Sequence, residues 1–155
     1  MPEIAFCTIE GVEGESNVKD QEGNIDVLQF DHDVSKDVDP LDCSKVRSDR
    51  RHSSASFIKY MDKATPVLFQ KLVQGETIPS IEIKWYRQPA DGSAEPEHYF
   101  THKFESCIIT SVRPSMSNAL EGGPSGHHEC VEFGYRQLTW TSETGGTEFT
   151  DEIRT

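Results

Sequence analysis

The stretch Phe57–Glu76, FIKYMDKATPVLFQKLVQGE, decides how the rest of the chain is read, because it is the one segment that reads as a helix and it sits between runs that read as strands. Its start is marked by Thr65, whose side chain can cap the free N–H groups of a first turn. Pro66 then falls at the first helical position, where a missing N–H costs nothing. Gly75 marks the stop, since it can take the left-handed conformation that ends a helix. Between them Val67, Leu68, Leu72 and Val73 form an apolar stripe with Phe69 at its edge, while Gln70 and Lys71 face away. A helix of about ten residues is marginal alone in water. It must lie against something apolar, and the flanking strands are the available surface.

Outward from this segment the pattern is that of strands. Ile4–Ile9 reads as a first strand, and the glycine-punctuated GVEGESNVKDQEG at 11–23 as a loop. In NIDVLQF, Asn24–Phe30, Ile25 and Val27 share one face, then Leu28 and Phe30 share the other. That change of parity predicts a bulge or a strand covered on both sides. Ser54–Met61 leads into the helix. Ile81–Tyr86 puts Ile81, Ile83 and Trp85 on one face and Glu82, Lys84 and Tyr86 on the other, as a half-buried strand does. Asp91-Gly92 is a hairpin-turn signal. His98–Val112 is long enough that it must bend and serve two sheets. Its alternation puts Phe100, His102, Phe104, Ile108 and Val112 on one face and Tyr99, Cys107 and Ile109 on the other. Residues 114–126 read as a loop. His128–Thr141 reads as the last strand, with a bend near Gly134 where the inward face switches from Val131, Phe133 and Tyr135 to Leu138 and Trp140. The tail 142–155 is polar and is expected to be ordered only by a partner.

Two long polar stretches remain. Residues 31–51 have no clear periodicity, begin acidic (Asp31, Asp33, Asp37, Asp39, Asp42) and end basic (Lys45, Arg47, Arg50, Arg51). A loop this long in a small domain is either functional or disordered. It reads equally as a mobile surface loop or as an arm reaching a neighbouring subunit.

The chain has 155 residues, which suits a single domain over 1–155, with 34% hydrophobic residues for one core. The formal net charge of -12 argues against binding nucleic acid or anionic membranes, since like charge repels over most of the surface. No apolar run is long enough to span a bilayer, so no membrane insertion is expected. The opening MPEIAFCTIEG lacks a basic region followed by an apolar core, so no export leader is expected either. Cys7, Cys43, Cys107 and Cys130 are widely spaced without a CxxC pair and read as reduced thiols.

Chemistry-bearing constellations are few. His127, His128, Glu129 and Cys130 cannot converge on a metal from one strand, because successive side chains point to opposite faces; they read as polar residues at a loop-to-strand junction. Asp31-His32-Asp33 reads as a solvated strand end for the same reason. Cys7 or Cys107 with a histidine base would be the nucleophile of an enzyme, yet both fit alternating strand positions without a local signature. Gly122-Gly123 and Gly145-Gly146 lack the helix and lysine of a phosphate cradle. No cofactor, metal or catalytic residue is expected, and the inventory points to shape and assembly. A monomeric β-barrel binding a small ligand is the alternative, discriminated by whether Trp85, Phe100, Phe104 and Phe133 fill its interior.

The order of motifs resembles the haemolysin-coregulated protein (Hcp) family of type VI secretion. The match is carried by Gly11 with Gly14-Glu15-Ser16, the strand 25–30, Phe57-Ile58-Lys59, and Asp62-Lys63-Ala64-Thr65-Pro66-Val67-Leu68. It continues through Glu82-Ile83-Lys84-Trp85-Tyr86-Arg87, Tyr99-Phe100-Thr101, and Val131-Glu132-Phe133 with Tyr135 and Trp140. It departs at His32, where relatives place an aromatic. The resemblance implies a mainly β fold, a small β-barrel of two packed sheets with one short α-helix on its side. It implies a homohexameric ring that stacks into a hollow tube, with a contractile sheath, a spike protein of the valine-glycine repeat family and effector proteins as partners. It also implies a bacterial cytoplasmic protein that is secreted without a signal peptide. It favours the arm reading of 31–51, with Asp42, Arg47, Arg50 and Arg51 as subunit or ring contacts.

Overall fold

The computed structural model describes residues 4–92, 95–116, 118, 120 and 127–153. Among these residues thirteen strands and one helix follow in chain order. They are β1 (Ile4–Ile9), β2 (Ile25–Val27), β3 (Gln29–Asp31), β4 (Val34–Ser35), β5 (Val38–Asp39), β6 (Asp42–Val46), β7 (Arg51–His52), β8 (Ala55–Tyr60), α1 (Ala64–Gln74), β9 (Ile78–Arg87), β10 (Glu97–Met116), β11 (His127–Gly134), β12 (Gln137–Ser142) and β13 (Thr147–Glu152).

The order of paired strands runs β2-β1-β9-β10-β11-β8-β3, with β12 and then β13 added beside β10. The two ends of this path, β2 and β3, are consecutive in the chain, separated by Leu28 alone, whose N–H bonds the Ile58 carbonyl. The parity change in NIDVLQF is therefore a corner, where the chain leaves one sheet and joins the other. The long strand β10 makes the opposite corner. Its first half pairs with β9 and β12, its second half with β11. The result is a small barrel of two packed sheets with the helix on its side.

Ser106 sets the bend of β10, with φ at 54, a left-handed conformation that a residue bearing a Cβ adopts only when its surroundings impose it. The bend resets the side-chain phase. Phe104 faces inward before it, and Cys107 and Ile109 after it, while Ile108 is exposed. The expected shared face of Phe104 and Ile108 is thus overturned, because uninterrupted alternation does not survive a left-handed residue. Strand pairing also continues through Met116, so the loop expected from 114 begins later; its residues 117, 119 and 121–126 lie outside the described ones. The turn at Asp91-Gly92 is present, with Gly92 at φ 79; residues 93–94 lie outside the described ones. The chain turns after Gly134, as its sequence indicated, and Arg136 N–H bonds the Glu105 carbonyl at that corner. The core is Ala5, Cys7, Ile9, Ile25, Ala55, Phe57, Leu68, Ile81, Ile83, Phe104, Ile109, Val131, Phe133 and Leu138.

The helix differs from its sequence reading at both its cap and its stripe. It begins at Ala64, and Thr65 does not cap it; Asp62 Oδ1 accepts the Ala64 N–H at 2.9 Å instead. Pro66 is the third helical residue, still within the turn whose N–H groups have no helical acceptor. Gly75 ends the helix in the left-handed region, φ 67. Ala64, Thr65 and Leu68 are buried, with Val67 and Leu72 packed beside them, whereas Val73 is 81% exposed and does not belong to the stripe.

Thr65 is occupied by a different task. Its hydroxyl donates to Glu129 Oε1 at 2.9 Å and accepts from Lys59 Nζ at 3.3 Å and from the Asp62 N–H at 3.2 Å. Lys59 also donates to Asp62 Oδ1 at 2.8 Å, to the Tyr60 carbonyl at 3.1 Å, and to Glu129. Lys59 and Glu129 are both 0% exposed and face each other in the β8–β11 register. Glu129, read from sequence as a junction residue, is therefore half of a buried ion pair that fastens the helix start to the barrel. The legible signal was parity: Ala55, Phe57 and Lys59 share a face, as do Glu129, Val131 and Phe133.

The tail is likewise corrected. Residues 147–152 pair in register with β12, Leu138 opposite Asp151, around a turn with Gly146 at φ 70. The chain orders it by itself, because a hairpin satisfies the backbone groups that the polar composition left unassigned. Residues 154–155 lie outside the described ones.

Candidate functional site

Residues 32–52 form an arm rather than a structureless loop. β4 pairs with β7 through Val34 opposite His52 and Ser35 opposite Arg51, and β5 pairs with β6 through Val38 opposite Val46. Sequence periodicity missed these strands because both faces are in solvent; every residue of β6 is exposed, so no burial pattern was imprinted on them.

The arm's opposite charges are matched along its legs. Arg51 Nη2 meets Asp37 Oδ1 at 2.7 Å, and Arg47 Nη2 meets Asp39 Oδ2 at 3.1 Å. Exposed pairs of this kind contribute only about 0.2–1 kcal/mol each, so they choose register more than they supply stability. At the tip, Asp42 Oδ1 accepts the Ser44 hydroxyl at 2.6 Å and the Ser44 N–H at 3.1 Å, and these bonds hold its carboxyl below the usual range. Arg50 reaches back to the barrel, its Nε 2.6 Å from Asp151 Oδ2 and its Nη2 donating to the Glu152 carbonyl at 3.2 Å. The four residues singled out from sequence are thus brought into one element. Three of them are engaged within the arm, and Arg50 ties it to β13. Among its charged and polar side chains the arm also exposes four apolar ones: Val34, Val38, Val46, and Leu41 at the tip, 97% exposed.

The root of the arm rests on an aromatic and histidine cluster. Tyr135, at the β11–β12 corner, has its hydroxyl in hydrogen bonds with His32 Nε2 and with His52 Nδ1, the latter at 2.9 Å. His52 Nε2 lies 2.7 Å from Asp151 Oδ2. Behind them His102 Nδ1 accepts the Trp85 indole N–H at 2.9 Å. Burial holds the His102 imidazole down to about 4, and both burial and the neighbouring His52 lower His32. His32 is therefore not a solvated strand end: the turn after β3 swings it inward against Phe104 and Tyr135.

Among the described residues no group of three His, Cys, Asp or Glu is placed to hold a metal ion. Burial pushes the Cys107 thiol up to about 12 and Cys7 higher still, which leaves both as thiols in the core. Cys43 is exposed on the arm.

Comparison with known proteins agrees with this architecture. The family model described as type VI secretion system effector, Hcp, matches residues 6–141. The Major exported protein of Pseudomonas aeruginosa is 37% identical over 139 residues, covering 86% of this chain and 79% of that protein. A crystal structure of an Hcp protein superposes with a TM-score of 0.85 at 28% identity, covering 99% of both chains. A variant of the Hcp1 protein from the E. coli EAEC 042 pathovar does so with a TM-score of 0.82 at 28% identity, covering 98% of both. A family match across most of the length, on the barrel-plus-helix topology described above, has one consequence: the chain belongs to the Hcp family of type VI secretion proteins.

Proposed function

We propose that this chain is the structural subunit of a hexameric ring that stacks into the type VI secretion tube and is itself secreted. The tube would be driven by a contractile sheath, tipped by a spike protein of the valine-glycine repeat family, and would carry effector proteins in its lumen. The observation that carries the reading is the arm. It projects two paired legs into solvent, matches charges along them, and turns Leu41 outward at 97% exposure. Beyond its root, where Arg50, His32 and His52 meet the barrel, such a hairpin adds no core, and its apolar tip is satisfied by burial against another copy.

In this reading Asp42, Arg47 and Arg51 shape the arm and Arg50 aims it, while Val38, Leu41 and Val46 make the contact. The ligand-binding alternative is not favoured: of the four side chains named to decide it, Phe104 and Phe133 are fully buried in the interior with Phe57 and Leu138, Trp85 packs half-buried against the core, and Phe100 is half-buried outside it. Catalysis has no part in the proposal; subunit geometry does the work.

The test is negative-stain imaging with sedimentation velocity on the purified chain. Rings that stack at high concentration are the expected result, and Leu41→Asp is expected to leave rings but abolish stacking. Replacing Arg47, Arg50 and Arg51 together by Glu should distort the arm and weaken stacking in the same way. A persistent monomer at high concentration would overturn the tube reading, and stacking unaffected by either variant would overturn the arm's role.

A further inference from the structure

The arm presents its tip in a defined way. Pro40 and Leu41 make the turn between β5 and β6, and the Leu41 N–H is already given to Asp39 Oδ1 at 2.9 Å. The Leu41 side chain stands 97% exposed, and its carbonyl accepts no hydrogen bond among the described residues. Two opposite charges flank it. Asp42 spends Oδ1 on Ser44, and Oδ2 has no bond among the described residues. Lys45 has no ion-pair partner among them either.

A pocket elsewhere on the barrel has the converse features. The arm's root meets the row Asp151, Leu138, Phe104 and Ile81, whereas the pocket sits at the Tyr86–His98 end of the same strands. β1 turns Ala5 and Cys7 into the core and Phe6 to the opposite face, where the chain at 18–21 folds over it and leaves it 2% exposed. The result is a pocket of about 320 Å3 walled by Phe6, Val18, Tyr86 and Pro96. Lys19, Asp20 and Glu95 stand exposed around it, none with an ion-pair partner among the described residues. A line of hydrogen bonds ends there. Thr8 Oγ1 donates to Asn24 Oδ1 at 2.9 Å, Asn24 Nδ2 to Gln21 Oε1 at 2.8 Å, and Gln21 Nε2 to the Tyr86 hydroxyl at 2.9 Å. An amide nitrogen only donates, so the Tyr86 oxygen accepts and keeps its own hydrogen to give.

We propose that this pocket is the receptor for the arm of another copy: Leu41 enters it against Phe6, Val18, Tyr86 and Pro96, and the Tyr86 hydroxyl donates to the Leu41 carbonyl. This rests on the tube-subunit reading above and names the surface that receives the stacking contact.

The two surfaces match in shape, polarity and charge. A pocket at the small end of ligand sites holds one large side chain. Leucine fills it without a polar atom of its own, and the burial removes an apolar side chain from water. The carbonyl that follows the side chain inward meets the donor that Tyr86 holds, so neither is buried unpaired. At the rim, Lys19 meets the second oxygen of Asp42, and Lys45 meets Asp20 and Glu95. Rim pairs of this kind set orientation more than affinity. The occupant is a second copy because both halves of the contact are written in this one chain. Tip and pocket are different surfaces, so the contact is heterologous: each copy offers one of each, and layers add without closing on themselves.

Two pools of protein, both Cys130→Ser, test this. One keeps the native Cys43, next but one to Leu41; the other is Cys43→Ser and carries Val18→Cys or Pro96→Cys at the pocket. The pools are mixed and treated with a short bis-maleimide, and stacking is imaged in the same samples. A two-chain product on denaturing gels is expected for both pocket cysteines, and none for Val73→Cys on the exposed face of α1. Val18→Trp, which fills the pocket from its own wall, should leave rings and abolish stacking as fully as Leu41→Asp, with circular dichroism unaltered. Tyr86→Phe, which removes only the hydroxyl, should shorten the stacks. Stacks that form without either pocket product, or that persist in Val18→Trp, overturn the receptor and leave the tube reading intact. Chains that stay monomeric at high concentration and give no product overturn both.

Discussion

Removing one side of the buried pair Lys59–Glu129 should unfold this protein more readily than removing both. The two side chains are fully buried and oppose each other across β8 and β11. Lys59→Met leaves Glu129 with Thr65 as its hydrogen-bond partner for Oε1, and Oε2 is already without one in the native arrangement. An uncompensated buried charge of this kind costs about 3–5 kcal/mol. Glu129→Leu is milder, because Lys59 keeps Asp62 at 2.8 Å and the Tyr60 carbonyl at 3.1 Å; we expect about 3 kcal/mol, the lower end of the same range. The double variant buries two apolar chains of similar volume where the pair stood. Well-packed replacements of buried pairs are close to neutral, so it should lose less than either single variant, and the coupling between the sites should exceed about 3 kcal/mol. Urea unfolding followed by tryptophan fluorescence measures all four proteins, at one fixed protein concentration because assembly would add to apparent stability. If each single change costs under about 1 kcal/mol, or if the double equals their sum, the account of how the helix start is fastened is wrong.

Two other expectations concern the barrel. Gly14→Ala should lower the thermal midpoint, since a Cβ there would lie 2.5 Å from the Asn24 carbonyl oxygen, a backbone atom with no freedom to retreat; a loss of about 1–3 kcal/mol is expected, and an unchanged midpoint refutes the close approach. His102 is held down to about 4 from 6.5, so the unfolded chain binds its proton first: stability is full above about pH 6.5, falls between there and about pH 4, and is level below, a loss of roughly 3 kcal/mol by the 1.36 kcal/mol per unit rule. Denaturant midpoints taken between pH 7 and pH 4 check this, and His102→Gln, which keeps an acceptor for Trp85, should flatten the slope; an equal slope in both proteins refutes the assignment.

The sequence by itself determined what depends on local pattern. Alternation in 81–86 identified a half-buried strand, Gly75 ended the helix, the length of 98–112 demanded a bend, and the parity change after Val27 marked a corner. These features survive because each is encoded within a few residues whose faces differ in polarity. The tertiary structure alone decided three others. The sequence offered an arm beside a mobile loop, but the arm's strands were illegible because β6 is exposed along its whole length and no burial period is written in it. The role of Thr65 was misread because a hydroxyl near a helix start has the same local appearance whether it caps the turn or joins a buried carboxylate sixty-four residues away. The neighbours of His32 come from β7, β10 and the β11–β12 corner, and only the closing of the two sheets brings those segments together; a side chain's environment is set by what folds against it, and that is written in no stretch of the chain taken alone.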